Sequence, residues 1–190
     1  RRQRQMCIRD RQEKLHPYNG VGCFNDMDML IVGMHGKGNV GLAGCSDVQY
    51  QTHYALWAFL GSPLMIGCDI REMSDETRRI LMNDEMIRIN QDPLCRQPYK
   101  VKNHAWNDNV LIYVKALANG DLAIGMFNLS DEKSRAAMNL DEIGLPFSSG
   151  RTLELTEVWT CENLCANNAS LVTELEPFAS KVYRAKVVKL

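Results

Sequence analysis

The chain has 190 residues, 45% of them hydrophobic, and a formal net charge of −1. That length holds one large domain or two small ones with a real core, and the balanced charge gives no electrostatic case for nucleic acid or an anionic membrane. No apolar run approaches the ~20 residues of a membrane helix, and no apolar stretch follows Arg1, Arg2, Arg4, Arg9 and Arg11 as it would in a signal peptide.

Residues 1–11 are set apart as a tail. Gln5-Met6-Cys7-Ile8-Arg9-Asp10-Arg11 reads like translated sequencing-adaptor DNA joined to a frame that begins mid-protein, against the plainer alternative of a divergent basic terminus. Gln12 to Leu15 reads as a helix end stopped near Pro17. Met27 to Val32 is a continuous apolar run of strand length, as in a strand buried on both faces. Five glycines between Gly33 and Gly44 predict a loop. Ser46 with Gln49 forms a capping-box pattern, and Tyr50, Tyr54, Trp57 and Ala58 then recur at helical spacing up to Gly61-Ser62-Pro63. Leu64 to Ile66 predicts a second short buried strand. Ser74 caps a further helix through Leu81, which Asp84 restarts as far as Ile89. Strand, helix, strand, helix is the alternation of a parallel α/β fold.

After Pro93 the texture changes. Val110 to Ala116 and Leu122 to Leu129 predict strands joined across Asn119-Gly120, a strong hairpin signal. Ala136 to Leu140, Leu153 to Val158, Leu171 to Leu175 and Lys181 to Val188 add short strands between turn-rich segments. Such spacing predicts an antiparallel sandwich.

The chemistry centres on Phe24-Asn25-Asp26-Met27-Asp28-Met29-Leu30. In an extended backbone Asp26 and Asp28 share a face. An ionised pair there suits sugar hydroxyls, because each carboxylate only accepts hydrogen bonds. The alternative is a plain turn, in which Asn and Asp satisfy their own backbone.

This segment resembles the Trp/Phe-Asn-Asp-x-Asp-Met-Leu signature of the α-galactosidase (melibiase) family of glycoside hydrolases, which also contains α-N-acetylgalactosaminidases. The similarity continues through Thr52 to Phe59, then Ser62-Pro63-Leu64-Met65-Ile66-Gly67-Cys68-Asp69-Ile70-Arg71, and ends in Ile89-Asn90-Gln91-Asp92-Pro93-Leu94. The blocks keep the family's order and spacing. The resemblance implies that residues 12–96 are the last two βα units of a (β/α)8 TIM barrel and residues 97–190 a C-terminal antiparallel β-sandwich. Two units cannot close such a barrel, which takes about 250 residues.

The resemblance implies a retaining hydrolase of terminal α-linked galactose that uses no metal or organic cofactor. Its partner is an α-galactoside oligosaccharide or glycoconjugate, with oligomeric state left open. Retention needs two carboxyl groups ~5–5.5 Å apart. The family's Lys-x-Asp nucleophile motif has no match here, and its acid/base Asp lies about thirty residues before the Asn-Asp-x-Asp-Met block, beyond the start of this chain. Arg9 and Asp10 are too close to Asp26 to take that part, so no catalytic carboxylate is assigned. What carries over is the pocket wall: Asp28 and Met29 map to sugar-lining positions, and Asp26 to an acceptor that braces the loop. Met27 stands where the family usually has Pro, which loosens the local backbone. Asp69 and Arg71 form either an ion pair supporting the site or an ordinary surface pair. Two other functions remain open: α-N-acetylgalactosaminidase activity, and a non-catalytic carbohydrate-binding or interaction module in which the sandwich does the work.

Other features read as structural. The seven cysteines include no Cys-x-x-Cys pair. Cys161 and Cys165 could close a small disulfide loop, but stay free thiols in the cytoplasm, the expected location. His16, His35, His53 and His104 share no ligand spacing. Gly36-Lys37-Gly38 lacks the Lys-Ser/Thr ending of a phosphate loop. Trp57 reads as core. Asn128-Leu129-Ser130 and Asn168-Ala169-Ser170 match glycosylation sequons.

Overall fold

Side-chain caps start the three α-helices of the first half whose ends are described. The structure, a computed structural model, describes residues 12, 15–37, 44–167 and 169–190. The tail, most of the first expected helix end, the centre of the glycine loop and Asn168 lie outside the described residues. Helix α1, Asp47–Phe59, opens with a complete capping box, in which Gln49 N donates to Ser46 Oγ (3.3 Å) and Ser46 N to Gln49 Oε1 (3.0 Å). Ser74 Oγ caps α2, Asp75–Leu81, and Asn83 Oδ1 caps α3, Asp84–Asn90, each accepting from the N3 amide. The cap of α3 is therefore Asn83 and not Asp84, which sits in the first turn, where its charge suits the helix dipole.

The compact units divide between Gln97 and Pro98. In the first, α1 is buried almost all round: every residue from Thr52 to Phe59 is buried, beyond the single face the spacing implies. Asn90 Nδ2 donates to Ala58 O (3.3 Å) and Ser62 O (2.9 Å), so the Ile89-Asn90-Gln91 block ties α3 to the end of α1. The two expected strands are reduced to one parallel bridge, Leu30 to Ile66, made by Leu30 N to Met65 O (2.8 Å) and Gly67 N to Leu30 O (3.1 Å). Asp28 turns the chain at φ 73°, which ends any extended run two residues before the bridge. A Cβ on Gly67 would stand 2.6 Å from Leu30 O, so only glycine fits beside the bridge.

The second unit is an antiparallel β-sandwich. One sheet runs β1-β2-β3-β8-β5-β6 and the other pairs β4 with β7. Their ranges are β1 Tyr99–Val101, β2 Val110–Ala116, β3 Leu122–Asn128, β4 Ser134–Asn139, β5 Arg151–Glu157, β6 Asn163–Cys165, β7 Ser170–Leu175 and β8 Ser180–Lys189. Inward-facing Val110, Ile112 and Val114 of β2, Ile124 and Met126 of β3, Met138 of β4, Leu153 of β5 and Leu171 of β7 form the core. The β2–β3 hairpin pairs Ala116 with Leu122, so its loop takes residues 117–121. Asn119 Oδ1 accepts from Asp121 N, and Gly120 sits at φ 87°. Strands β1 and β6 carry no sequence signal because they are three-residue edges with little buried surface.

Two buried polar groups hold sandwich turns. Glu157, 5% exposed, accepts at Oε2 from Trp159 N, Thr160 N and Thr160 Oγ, and at Oε1 from Val182 N. Asn128 is 0% exposed; its Nδ2 donates to Glu132 O, Leu175 O and Glu176 O, and its Oδ1 accepts from Ser130. The Asn128 sequon is thus a structural triplet whose amide has no room for a glycan. Cys161 and Cys165 are free and exposed. Cys165 of β6 stands opposite Glu154 of β5, while Cys161 occupies a left-handed turn at φ 60°, and the two do not close the alternative disulfide loop.

Candidate active-site wall

The segment from Asn25 to Ile31 is held residue by residue. Asn25 Nδ2 donates to Leu15 O (3.1 Å). Met27 is 2% exposed, and its amide donates to Ser62 Oγ (3.1 Å), itself from the Ser62-Pro63-Leu64 block. An apolar Met therefore fills the position between the two carboxylates as a core anchor.

Asp26 and Asp28 do not share a face of an extended strand. Asp28 lies in the left-handed region, which non-glycine residues seldom enter but Asp tolerates better than most. Asp26 Oδ1 accepts from Asp28 N (2.9 Å), a turn closed by the side chain two residues back. Asp28 Oδ1 accepts from Met29 N (2.7 Å). The Asp28 carbonyl accepts from the Trp57 indole Nε1 (3.0 Å). Turn and carboxylate readings of the motif thus describe the same atoms: one aspartate builds a turn that presents the other. One oxygen of the Asp28 carboxylate is committed to the backbone, which fixes the plane of the group. The residue is exposed, leaving Oδ2 to face solvent.

Met29 follows, 43% exposed, with its methyl 3.5 Å from where a Gly67 Cβ would stand. Asp28 and Met29 therefore lead directly into Leu30, the residue that bridges the two segments.

Asp69 and Arg71 form a forked pair at the end of the second segment, with Nε to Oδ1 at 2.9 Å and Nη2 to Oδ2 at 2.6 Å. Asp69 Oδ1 also accepts from Arg71 N (3.0 Å) and so caps the short 3₁₀ turn Ile70–Glu72. The guanidinium, with this amide, holds the Asp69 carboxyl below the usual carboxylate range, and the carboxylate raises the Arg71 pKa in return. The Arg71 side chain is 84% exposed. Among the described residues, neither partner hydrogen-bonds Asp26 or Asp28; the pair shapes its own turn. Beside it, burial pushes the Cys68 thiol up.

His53 and Trp57 of α1 also hydrogen-bond this segment, and Tyr50 the chain beyond it at His35 and Cys45, so rings that are buried as expected carry polar contacts besides. Their spacing of three and four residues on one helix face, with a polar atom on each ring, was the available signal. No group of three or more His, Cys, Asp or Glu among the described residues could hold a metal ion.

On the sandwich, a groove of about 570 Å³ runs over β8, β5 and β6 beside the β2–β3 loop, lined by Asp121, Arg184, Thr156, Asn163, Glu154 and Lys186 among others. Its polar side chains are largely paired with one another, as in Arg184 Nε to Asp121 Oδ2 (3.1 Å) and Thr156 Oγ to Asn163 Oδ1 (2.7 Å). None of its lining residues is aromatic, so it offers no stacking surface for a sugar ring.

An α/β segment presenting a fixed carboxylate at a strand end, followed by an antiparallel sandwich, is the architecture of a barrel glycosidase with an appended C-terminal domain. The sequence profile described as α-galactosidase A matches residues 5–92, starting inside the stretch set apart as a tail, and that of the α-galactosidase C-terminal β-sandwich domain matches residues 107–185. The chain belongs to the α-galactosidase (melibiase) family. An α-galactosidase of Cyamopsis tetragonoloba is 30% identical over 87% of this chain and 37% of its own length. An α-N-acetylgalactosaminidase of Gallus gallus is 32% identical over 78% of this chain and 34% of its own. A crystal structure of a candidate α-galactosidase/melibiase from Bacteroides fragilis superposes with a TM-score of 0.85 at 32% identity, covering 96% of this chain and 38% of that one. The chain thus spans little more than a third of these relatives.

Proposed function

We propose that the protein carrying this chain hydrolyses terminal α-linked galactose from oligosaccharides or glycoconjugates with retention of configuration, and that this chain supplies one wall of the sugar pocket. Asp28 accepts hydrogen bonds from sugar hydroxyls and Met29 packs beside the ring. Asp26 braces the turn, and Asp69 with Arg71 stabilises the neighbouring strand end. The observation that carries this reading is the Asp28 carboxylate, locked by one oxygen and open at the other, next to the parallel bridge. The nucleophile and the acid/base come from outside these 190 residues.

The test is kinetic, on the complete enzyme. An ionised acceptor gives a charge-assisted bond worth about 1.5–3 kcal/mol, so Asp28→Asn is expected to lower kcat/KM by roughly 10- to 100-fold. Asp69→Asn should leave kcat/KM nearly unchanged and lower the melting temperature. Near-wild-type turnover of an aryl α-galactoside by Asp28→Asn removes Asp28 from the pocket. The kinship with an α-N-acetylgalactosaminidase supports a second reading, in which the sugar carries a 2-acetamido group. Comparing aryl α-galactoside with aryl α-N-acetylgalactosaminide as substrates separates the two.

A further inference from the structure

Three buried rings on one face of α1 direct their polar atoms to backbone groups, two of them to the segment that carries Asp28 and the third to His35 and Cys45 beyond it. Trp57 Nε1 donates to Asp28 O at 3.0 Å. His53 Nε2 accepts from Ile31 N at 3.2 Å, which requires the neutral imidazole with its proton on Nδ1. Tyr50 OH accepts from His35 N at 2.8 Å and from Cys45 N at 3.2 Å. The side chains are 2%, 6% and 0% exposed, and the His53 and Trp57 rings pack with centroids 4.1 Å apart.

A helix that only had to fill a core would do so with Leu or Phe and bury no polar atom needing a partner. Here the indole and the imidazole take backbone groups at the left-handed residue itself and three residues after it. The φ of 73° turns the Asp28 carbonyl toward the indole and its carboxylate toward solvent. An extended φ at Asp28 would take the carbonyl off Trp57 and swing the carboxylate with it. The amide of Ile31, three residues on, is caught by the next ring up the same helix.

We propose that Trp57 and His53 are positioning residues for the sugar-binding carboxylate, holding the backbone of Asp28 and of the residues just after it in the conformation that aims Asp28 into the pocket. Tyr50 holds the chain further on, at His35 and Cys45. This rests on the reading of Asp28 as a sugar contact.

The test is a double-mutant cycle in the complete enzyme. Trp57 is replaced by β-(3-benzothienyl)alanine, which keeps the bicyclic shape and deletes the N–H donor. Loss of one ordinary hydrogen bond predicts roughly a 3- to 12-fold fall in kcat/KM, with melting temperature nearly kept. In an Asp28→Asn background the same replacement should cost less than about twofold, because its effect passes through the missing carboxylate. Equal losses in both backgrounds overturn the proposal, as does no loss in either. If Asp28→Asn by itself is harmless, the pocket assignment fails first and the proposal falls with it, an outcome visible in the single mutant. His53 gives an independent arm. His53→Gln keeps an acceptor within reach of Ile31 N and should retain activity within a few fold, whereas His53→Leu should lose about tenfold and speed exchange of the Ile31 amide. Equal activity of the two variants overturns the role of His53.

Discussion

The two units of this chain meet their hydrogen-bonding needs in opposite ways. In the sandwich every strand expected from the sequence forms a ladder, and β2 and β3 bury both faces. In the first unit the helices form fully, whereas the apolar runs Met27 to Val32 and Leu64 to Ile66 yield one bridge. Met65 and Ile66 are 54% and 45% exposed, against 0% for Ile112 and Ile124 of the sandwich. A helix closes its bonds within itself and needs only a cap. A strand of a parallel sheet needs neighbours on both sides, and here each segment has one. Among the described residues, the unit that carries the Asp26–Asp28 motif thus leaves more of its strand backbone unpaired than the sandwich does.

The sharpest way to break this comparison is to look for catalysis in the isolated chain. Retaining hydrolysis needs a nucleophile and an acid/base that these residues do not supply, so purified chain should show no measurable turnover of an aryl α-galactoside. Turnover abolished by a mutation within the chain would place the catalytic carboxylates among these residues.

Hydrogen exchange sharpens the comparison directly. Amides of the β2–β3 hairpin should exchange slower than those of Leu64 to Ile66 by several orders of magnitude, because ladder bonds in a buried core open only with much of the unit. Similar protection in both places contradicts the assignment of the weaker unit.

The advantage of the sandwich should itself be erasable at Glu157. Replacing it with Ala leaves buried donors of Trp159, Thr160 and Val182 without their acceptor, at a cost on the order of 3–5 kcal/mol. Denaturant melts followed at β5 and β8 should show the loss; a change below about 1 kcal/mol would mean that water replaces the carboxylate.

The smallest effect concerns alkaline pH in the first unit. Burial raises the Tyr54 phenol from 10.0 to about 12, and its hydroxyl donates to Leu81 O at 3.1 Å. The folded unit holds this proton longer than the unfolded chain does. The associated stability, on the order of 2–3 kcal/mol, is therefore fully present below pH 10 and lost as pH rises toward 12. Tyr54→Phe should flatten that decline while costing about 1 kcal/mol at neutral pH for the lost hydrogen bond. An unchanged alkaline slope would assign the decline to other groups.

Much of the fold was legible because its signals are local. Ser46 with Gln49, Ser74, and the apolar runs Val110–Ala116 and Leu122–Asn128 on either side of Asn119-Gly120 each decide structure within a few residues. The family was legible too, since its motif blocks stand in order along the chain. Tertiary structure decided what depends on distant partners. The left-handed turn at Asp28 is held by an indole 29 residues away. The Asn128 sequon is closed off by carbonyls 47 and 48 residues on. The forked Asp69–Arg71 pair is local, but its lack of contact with Asp26 and Asp28 shows only in three dimensions. Periodicity and caps report what a residue does with its neighbours in sequence. The aim of a carboxylate is set by whichever buried donor folding brings beneath it, and no spacing rule encodes that.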